Sequence, residues 1–345
     1  MEHFQKNSKT TYISQKNLVQ NLNPKKLLTK IPFLLAPMDE VTDIGFRILC
    51  EEEGSAYGTT ELTSVDALVR DKVMESRYKK ENLKVNSIQL FGHNPQTFVD
   101  AAKKIQHEAD FIDINFGCPS ACVNSNDSGA ILLKDPKNVR AIVEKLVKEI
   151  DRPITAKIRL GYERTTYLDV AKEVEDAGAD MLAVHGRTAK QKYSGKANWD
   201  AIQEIYQKTD IFLCGNGDIT NPEQIDEYLG THADALMIGR GAIGNPKIFK
   251  DFLEYKNNKN QFLKKRNETN ELSREDRDEL KKQEQKEYFL RYLNHLKNIT
   301  LQREVYRIQH QAMYFFKGIG GARELRQKLM QAKTIDEIMN IVEEF

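Results

Sequence analysis

Hydrophobic and polar positions alternate along the chain in a pattern that repeats eight times between residue 31 and about residue 250. Each repeat contains a short apolar stretch, a small or polar turn, and a segment with apolar residues at helical spacing. The apolar stretches predict eight strands: Pro32–Ala36, Ala56–Thr60, Asn86–Phe91, Asp110–Ile114, Ile154–Arg159, Met181–His185, Ile211–Cys214 and Ala235–Ile238.

Helix-length segments separate these strands, most clearly Pro95–Glu108 and Pro136–Ile150. Each begins with a proline, whose missing N–H costs nothing there, and each follows a cap residue, Asn94 or Asp135. Eight strand–helix units in about 220 residues favour the α/β class and a (β/α)8 TIM barrel. An open doubly wound sheet would carry a glycine-rich dinucleotide turn after its first strand, whereas the turn after Ala36 (PMDEVTD) contains no glycine.

The pattern changes beyond the eighth unit. Residues 256–288 are crowded with charged and amide side chains, which predicts a solvated linker or an exposed helix. Apolar residues at helical spacing return at residue 289 and continue to a last helix near Ile335–Phe345. We therefore expect an N-terminal extension (1–30), a catalytic barrel domain (31–255), a charged linker or helix (256–288) and a C-terminal all-helical domain (289–345).

Composition narrows the class of protein. Hydrophobic residues make up 40% of the 345, and the mean hydropathy of −0.60 suits a soluble protein. No apolar run approaches the roughly 18–20 residues of a membrane helix, and the first ten residues lack the apolar region of a secretory signal, so we expect a cytoplasmic protein without membrane contact. The four cysteines are too few for a disulfide framework. No histidine lies near Cys118 and Cys122, so we expect no metal site.

The formal net charge of +1 does not by itself predict a nucleic-acid partner. Local charge is more informative, because residues 289–328 carry eight Lys or Arg against two Glu. A basic helical module would suit a phosphate backbone. A solvated basic surface remains the alternative.

The segment DFIDINFGCPS, residues 110–120, places a thiol directly after a predicted buried strand. Gly117 and Pro119 flank Cys118, and this framing stops the strand and holds the cysteine at its end. Chemistry in a closed parallel barrel is carried out at the C-terminal ends of the strands. The sequence therefore predicts that Cys118 is a reacting group.

Two glycine-containing stretches, Cys214–Ile219 and Ile238–Ala242, follow strands seven and eight. Glycine lets backbone N–H groups approach an anion closely, and barrels frequently bind phosphate in these two loops. Arg240 adds a fixed positive charge. We predict a phosphate site there.

Three polar side chains, Gln89, Lys157 and His185, lie within predicted strands. Buried amide, ammonium and imidazole groups need partners, which either a satisfied internal network or a flat heterocycle would supply. A lysine beside such a ring would stabilise the negative charge of a reduced flavin, and Pro37 and Met38 would form one wall.

Together these motifs resemble the tRNA-dihydrouridine synthases over about residues 31–250. The matching segments are APM (36–38), QLFG (89–92), INFGCP (114–119), AKIRLG (156–161), HGRT (185–188), GNGDI (215–219) and GRGAIGNP (239–246). The C-terminal segment resembles the helical tRNA-binding domain of that family at Arg307, His310, Tyr314, Lys317-Gly318, Gly321-Ala322 and Leu325-Arg326.

The resemblance implies an FMN-dependent oxidoreductase that reduces the C5=C6 bond of particular tRNA uridines to 5,6-dihydrouridine, with NADPH (or NADH) as reductant. It implies that reduced FMN gives a hydride to C6 of uracil while Cys118 gives a proton to C5. That role suits a thiol, which with a pKa near 8.5 is mostly protonated at pH 7. It assigns FMN binding to Pro37, Met38, Asp39, Gln89, Lys157, His185, Asn216, Gly217, Asp218, Gly239 and Arg240.

The same resemblance makes Asn115 and Arg187 candidates for contact with the uracil or its phosphate. The predicted tRNA contacts in the helical domain are Arg303, Arg307, Lys317, Arg323 and Arg326, and no obligate protein partner is evident. One departure concerns the loop after Cys118, where Ala121 and Cys122 stand at positions at which many family members carry lysine.

Two other functions are compatible with parts of this pattern. An FMN barrel oxidoreductase acting on a free pyrimidine or other small molecule, similar to dihydroorotate dehydrogenase, would share the phosphate loops but leave the basic helical domain unexplained. A non-catalytic RNA-binding protein would not need Cys118, Lys157 and His185.

Overall fold

A computed structural model describes residues 22–124, 127–297 and 305–345, apart from the side chain of Cys122. Eight parallel strands close into a barrel, since each pairs with its neighbours in chain order and the last pairs with the first. This confirms the predicted TIM barrel. The barrel strands are β1 Phe33–Leu35, β2 Gly58–Thr59, β3 Asn86–Phe91, β4 Phe111–Phe116, β5 Ile154–Arg159, β6 Met181–His185, β7 Leu213–Asn216 and β8 Ala235–Ile238. A further two-residue segment, Thr63–Ser64, follows β2 and pairs with the end of β3.

Helices surround the barrel and continue beyond it. They are α1 Pro24–Lys30, α2 Ile44–Glu52, α3 Val65–Val69, α4 Pro95–Ile105, α5 Ala121–Asn124, α6 Pro136–Glu149, α7 Tyr167–Asp176, α8 Trp199–Lys208, α9 Gln224–Tyr228, α10 Ile248–Asn257, α11 Lys259–Glu271, α12 Arg274–Leu296, α13 Val305–Phe315, α14 Ala322–Leu329 and α15 Ile335–Glu343. Within the described residues, no helix is long and apolar enough to span a membrane.

The side chains of the strands alternate between two apolar layers. In β4, Ile112, Ile114 and Phe116 face outward and pack against the surrounding helices, where the largest core cluster lies. Phe111 faces inward and contacts Tyr57 with the ring centroids 5.3 Å apart, in an edge-to-face arrangement. This inner cluster fills the N-terminal half of the barrel and leaves the C-terminal half open for polar side chains.

Two strands end later than the sequence predicts. Strand β4 continues to Phe116 because Asn115 pairs with Lys157 and Phe116 with Ile158 in the parallel ladder. Strand β7 spans Leu213–Asn216 because Asn216 pairs with His185. Asn115 and Asn216 therefore belong to strand ends and not to the loops that follow.

The helical region, which begins within α12 and continues through α13–α15, packs against α2 and the turn that precedes it. The hydroxyl of Tyr292 donates to Asp43 (2.7 Å), and the Nε2 of Gln311 donates to the carbonyl of Val41 (2.6 Å). Within residues 256–288, helix α11 buries no side chain, whereas the following helix α12 buries Gln285 and Tyr288. Helix α12 crosses the proposed boundary at residues 288 and 289 without interruption.

Candidate active site

A cavity of about 890 Å³ opens at the C-terminal ends of the barrel strands. It brings together thirteen of the residues singled out from the sequence, although they lie on seven different strand ends and loops. They are Pro37, Met38, Asp39, Gln89, Asn115, Cys118, Lys157, His185, Asn216, Gly217, Asp218, Gly239 and Arg240. The structure thus places these residues around one cavity, while their individual roles stay predictions.

The turn that carries Cys118 is held from two sides. The Oδ1 of Asn115 accepts hydrogen bonds from the N–H groups of Gly117 (3.1 Å) and Cys118 (2.8 Å). On the other side, the Nε of Arg159 donates to the carbonyl of Gly117 (2.9 Å). The half-buried thiol thus sits on backbone whose position is set by strands β4 and β5.

The environment of Cys118 keeps its thiol protonated. Burial raises the pKa of Cys118, and the negative charge of Asp39 acts in the same direction. The N–H of Ser120 and the cations Arg159 and Lys157 oppose this without reversing it. A thiol with a raised pKa is a proton donor at neutral pH and a poor nucleophile.

Lys157 projects from β5 toward the cavity. Its ammonium has no hydrogen-bond or ion-pair partner among the described residues. Burial, reinforced by the nearby charge of Arg159, lowers the pKa of Lys157 from 10.5 to about 8, and Asp113 partly counteracts this. A cation that lacks a protein partner and lines a cavity is suited to an anionic ligand group.

His185 at the end of β6 is neutral. Burial, together with the charges of Lys157, Arg159, Arg187 and Arg240, holds the pKa of His185 far below its usual range. The Nη1 of Arg187 lies 3.4 Å from the Nε2 of His185. Because a guanidinium can only donate, Nε2 accepts and the ring proton resides on Nδ1, so His185 is a neutral hydrogen-bond donor.

The loops after β7 and β8 form a cationic corner of the cavity. The backbone N–H groups of Asp218, Arg240 and Gly241 have no protein acceptor in the described part of the chain. Arg240 is half exposed, and its guanidinium lies 4.4 Å from the ring centroid of Tyr193. Free N–H groups beside a fixed guanidinium are the chemistry of a phosphate site.

The carboxylate of Asp218, one of the residues assigned to FMN binding, is engaged by protein donors. It accepts hydrogen bonds from Arg187 (2.7 and 3.0 Å), Arg240 (2.8 Å) and the N–H of Ala197 (2.8 Å). Burial would raise the pKa of Asp218, but the bonds to Arg187 and Ala197 hold it below its usual range. The carboxylate therefore orients Arg240.

Arg187, predicted to touch the uracil or its phosphate, does not line the cavity. Its side chain is 2% exposed, and its guanidinium donates to Asp218 and to the carbonyls of Ser194 and Gly195. The N–H donors of Arg187 are therefore engaged by acceptors within the protein. Arg187 lies behind Asp218 and supports it, which argues against the predicted contact with the uracil or its phosphate.

The predicted tRNA contacts divide into three groups. Arg307 pairs with Glu61 and is 12% exposed, so its charge is largely neutralised where the helical region meets the barrel, which argues against the predicted contact. Lys317 and Arg323 are exposed and Arg326 is partly exposed. Arg303 lies outside the described residues, as does the side chain of Cys122.

Helices α13 and α14 border a groove of about 910 Å³, which we call the α13–α14 groove. Arg323 and Arg326 line it, together with His310 and with three exposed side chains, Tyr306, Met313 and Met330. Glu40 also borders the groove, whereas its neighbour Asp39 lines the barrel cavity. The loop after β1 therefore separates the groove from the cavity.

Sequence reasoning missed three residues that organise the site. Arg159 connects two loops, since it donates to the carbonyl of Gly117 after β4 and to those of Thr188 and Lys192 after β6. Tyr193 covers Arg240, and Asp113 lies beneath Gln89. Of these, Asp113 had a recognisable signal, because a carboxylate at an inward position of an apolar strand needs a buried partner. No cluster of metal-binding side chains is found among residues 22–124, 127–297 and 305–345.

Comparison with known proteins agrees with this geometry. The sequence profile of the dihydrouridine synthase (Dus) family matches residues 34–345. A probable tRNA-dihydrouridine synthase of Aquifex aeolicus is 32% identical over 320 residues, which cover 90% of this chain and 95% of that protein. The tRNA-dihydrouridine synthase B of Escherichia coli is 37% identical over 228 residues, covering 64% of this chain and 71% of that protein.

Among solved structures, a ligand-free DHODH from Eimeria tenella is similar with a TM-score of 0.47 and 13% identity, over 66% of this chain and 84% of that one. The family match spans both the barrel and the helical region. This chain belongs to the dihydrouridine synthase family of enzymes.

Proposed function

We propose that this protein reduces the C5=C6 bond of uridines in tRNA to 5,6-dihydrouridine, with FMN as the bound cofactor and NADPH or NADH as its reductant. Family membership supports the reaction, and both relatives described above carry the name tRNA-dihydrouridine synthase. A tRNA substrate is consistent with the expected cytoplasmic location.

The cavity fits FMN at both ends of that molecule. For the phosphate it offers the free N–H groups of Asp218, Arg240 and Gly241 beside a guanidinium. For the heterocycle it offers the unpartnered ammonium of Lys157 and the neutral donor His185. At Gly239, an added Cβ would approach no protein atom closer than 3.7 Å, so the missing side chain leaves space in the cavity itself.

The side chains around the cavity prepare the site for one proton transfer. Reduced FMN, when bound, supplies a hydride to C6 of the uracil. Cys118 donates its proton to C5, where negative charge develops, and the raised pKa of the thiol keeps that proton available. Asn115 and Arg159 fix the turn beneath the thiol, and Lys157 offers positive charge to an anionic ring.

The helical region, proposed here as residues 289–345, extends the site toward a folded RNA. A uridine must leave its stack to enter a barrel mouth, and the rest of the RNA must be held meanwhile. Arg323, Arg326 and Lys317 offer accessible positive charge, and Tyr306 is 62% exposed on the α13–α14 groove. RNA lying along this groove would reach the cavity across the Asp39–Glu40 loop.

A single observation carries the proposal: a protonated thiol and an unpartnered ammonium line the same cavity beside a phosphate-type corner. The test is mass mapping of dihydrouridine in tRNA from cells that lack this protein, before and after the gene is restored. Loss of dihydrouridine at defined positions and its return would support the proposal, whereas an unchanged tRNA profile would contradict it. Free uridine is the control substrate, since turnover of it at the tRNA rate would favour the small-molecule oxidoreductase.

A further inference from the structure

Four side chains form a hydrogen-bonded chain from the barrel interior to the Cys118 turn. Thr155 donates to one carboxylate oxygen of Asp113 (2.5 Å), and the Nε2 of Gln89 donates to the other (2.6 Å). The Nδ2 of Asn115 then donates to the Oε1 of Gln89 (2.8 Å). Asp113 is 2% exposed and Gln89 is fully buried, so water cannot replace these partners.

Asp113 accepts a hydrogen bond at each of its two oxygens. These oxygens face the hydroxyl of Thr155 and the amide of Gln89, and the charge of Lys157 also acts on the carboxyl group. Burial raises the pKa of Asp113, and the bonds from Thr155 and Gln89 and the charge of Lys157 oppose this without reversing it. A proton on the carboxyl group would lie toward Thr155, whose hydroxyl can accept, so the oxygen that faces Gln89 accepts in either protonation state. The remaining members are amides or a hydroxyl, which can present either a donor or an acceptor.

An acceptor at one end fixes the direction of every amide in the chain. Gln89 must turn its NH2 group toward Asp113, which leaves its carbonyl oxygen facing Asn115. Asn115 must then give its NH2 group to Gln89, which leaves Oδ1 facing the N–H groups of Gly117 and Cys118. If Gln89 were reversed, Asn115 would reverse too, and its NH2 group would face two N–H donors, so the bonds that hold the thiol turn would be lost.

We propose that Asp113 is a positioning residue of this site, which sets the orientation of Gln89 and Asn115 and thereby holds the turn that carries Cys118. The orientation of the turn does not depend on the proposed tRNA reaction. Its effect on catalysis rests on the proposed function.

Asp113→Asn tests the proposal, because asparagine has the same shape but allows the amide chain to reverse. The measurement is the rate at which iodoacetamide alkylates Cys118 in the protein as purified with its cofactor, resolved to the individual cysteine by fragment-ion mass spectrometry. Thr155→Val is the matched control, since it removes one bond to Asp113 without removing the acceptor that directs the chain.

Losing both N–H bonds frees the turn, so we expect Asp113→Asn to accelerate alkylation about tenfold, and Thr155→Val to change it less than about twofold. Asn115→Ala removes the Oδ1 that caps the N–H groups of Gly117 and Cys118, and it should accelerate alkylation of Cys118 to a similar extent. Asp113→Asn added to Asn115→Ala should then give no further increase, because both changes act through one cap. With tRNA as substrate, Asp113→Asn should lower kcat and leave KM unchanged.

A folded Asp113→Asn protein with an unchanged alkylation rate would overturn the proposal, and so would additive effects of Asp113→Asn and Asn115→Ala. If Asp113→Asn does not fold, Gln89→Met interrupts the same chain one step nearer the thiol and must give the same acceleration. Faster alkylation in a protein that never reduces tRNA would refute the proposed function and leave the positioning role intact.

Discussion

Replacing Lys157 with methionine should stabilise the folded protein while weakening anion binding in the cavity. Burial, with Arg159 adding to it, lowers the pKa of Lys157 from 10.5 to about 8. Folding therefore disfavours the charged form, and a fall of this size corresponds to roughly 3 kcal/mol at neutral pH. The side chain borders an open cavity, and in the variant Asp113 loses an attractive neighbour, so we expect a net gain of about 1 kcal/mol in the free energy of unfolding.

The size of this effect depends on pH. Below pH 8 the lysine is protonated in both the folded and the unfolded state, so the penalty of burying its charge is fully present. Between pH 8 and pH 10.5 the folded state releases the proton first, the unfolded state binds more protons, and the penalty declines. The stability advantage of Lys157→Met should therefore be largest at neutral pH and should shrink toward pH 10.

Urea unfolding of flavin-free protein at a series of pH values measures this directly. Lys148→Met is the matched control, because Lys148 is exposed on α6 and its removal should change stability little at any pH. A Lys157→Met protein that is less stable than the wild type at pH 7, or whose stability difference does not vary with pH, would refute the reasoning. The same variant should bind FMN more weakly than the wild type in a titration followed by flavin fluorescence.

Three further predictions concern the cofactor, the proton and the RNA. Gly239→Ala should bind FMN at least tenfold more weakly, because its methyl group enters the cavity and not the protein core; an unaltered flavin affinity in the folded variant would contradict this. Because burial raises the pKa of Cys118, the single-turnover rate of uridine reduction should be constant near pH 7 and fall only in alkaline solution, and a loss of rate toward acid pH would contradict the proton-donor role. Arg323→Glu combined with Arg326→Glu should weaken tRNA binding and reduce its salt slope by about 1–2, with FMN binding unchanged and Lys148→Glu as the control; unchanged tRNA affinity in fluorescence anisotropy would exclude the α13–α14 groove.

The barrel could be predicted from sequence because every strand–helix unit repeats the same two periodicities. In Ile154–Arg159, for example, apolar residues alternate with Thr155, Lys157 and Arg159, which is the period of two that a strand requires. Strand ends were less predictable, since pairing with the neighbouring strand extended β4 and β7 past their apolar residues. In both cases, pairing with the neighbouring strand determined where the strand ends, and the local composition did not.

That the strand ends would meet at one cavity could also be predicted, because the C-terminal ends of parallel strands converge. What the sequence does not contain is the partner of each charged side chain. Arg187 and Arg240 both follow a barrel strand in the sequence. In the structure, Arg187 is buried against Asp218 and two backbone carbonyls, whereas Arg240 pairs with Asp218 and stays accessible. Arg307 is similar, since its pairing with Glu61 joins positions 246 residues apart.

The central claim is that Cys118 donates a proton to a uridine held against a reduced flavin. Protein reduced in advance and mixed with unmodified tRNA allows one turnover to be timed, with dihydrouridine quantified by mass spectrometry. The account predicts that Cys118→Ala retains its flavin and its tRNA affinity but forms dihydrouridine at least about a hundredfold more slowly. Formation at the wild-type rate, or a purified wild-type protein that binds no flavin, would contradict it.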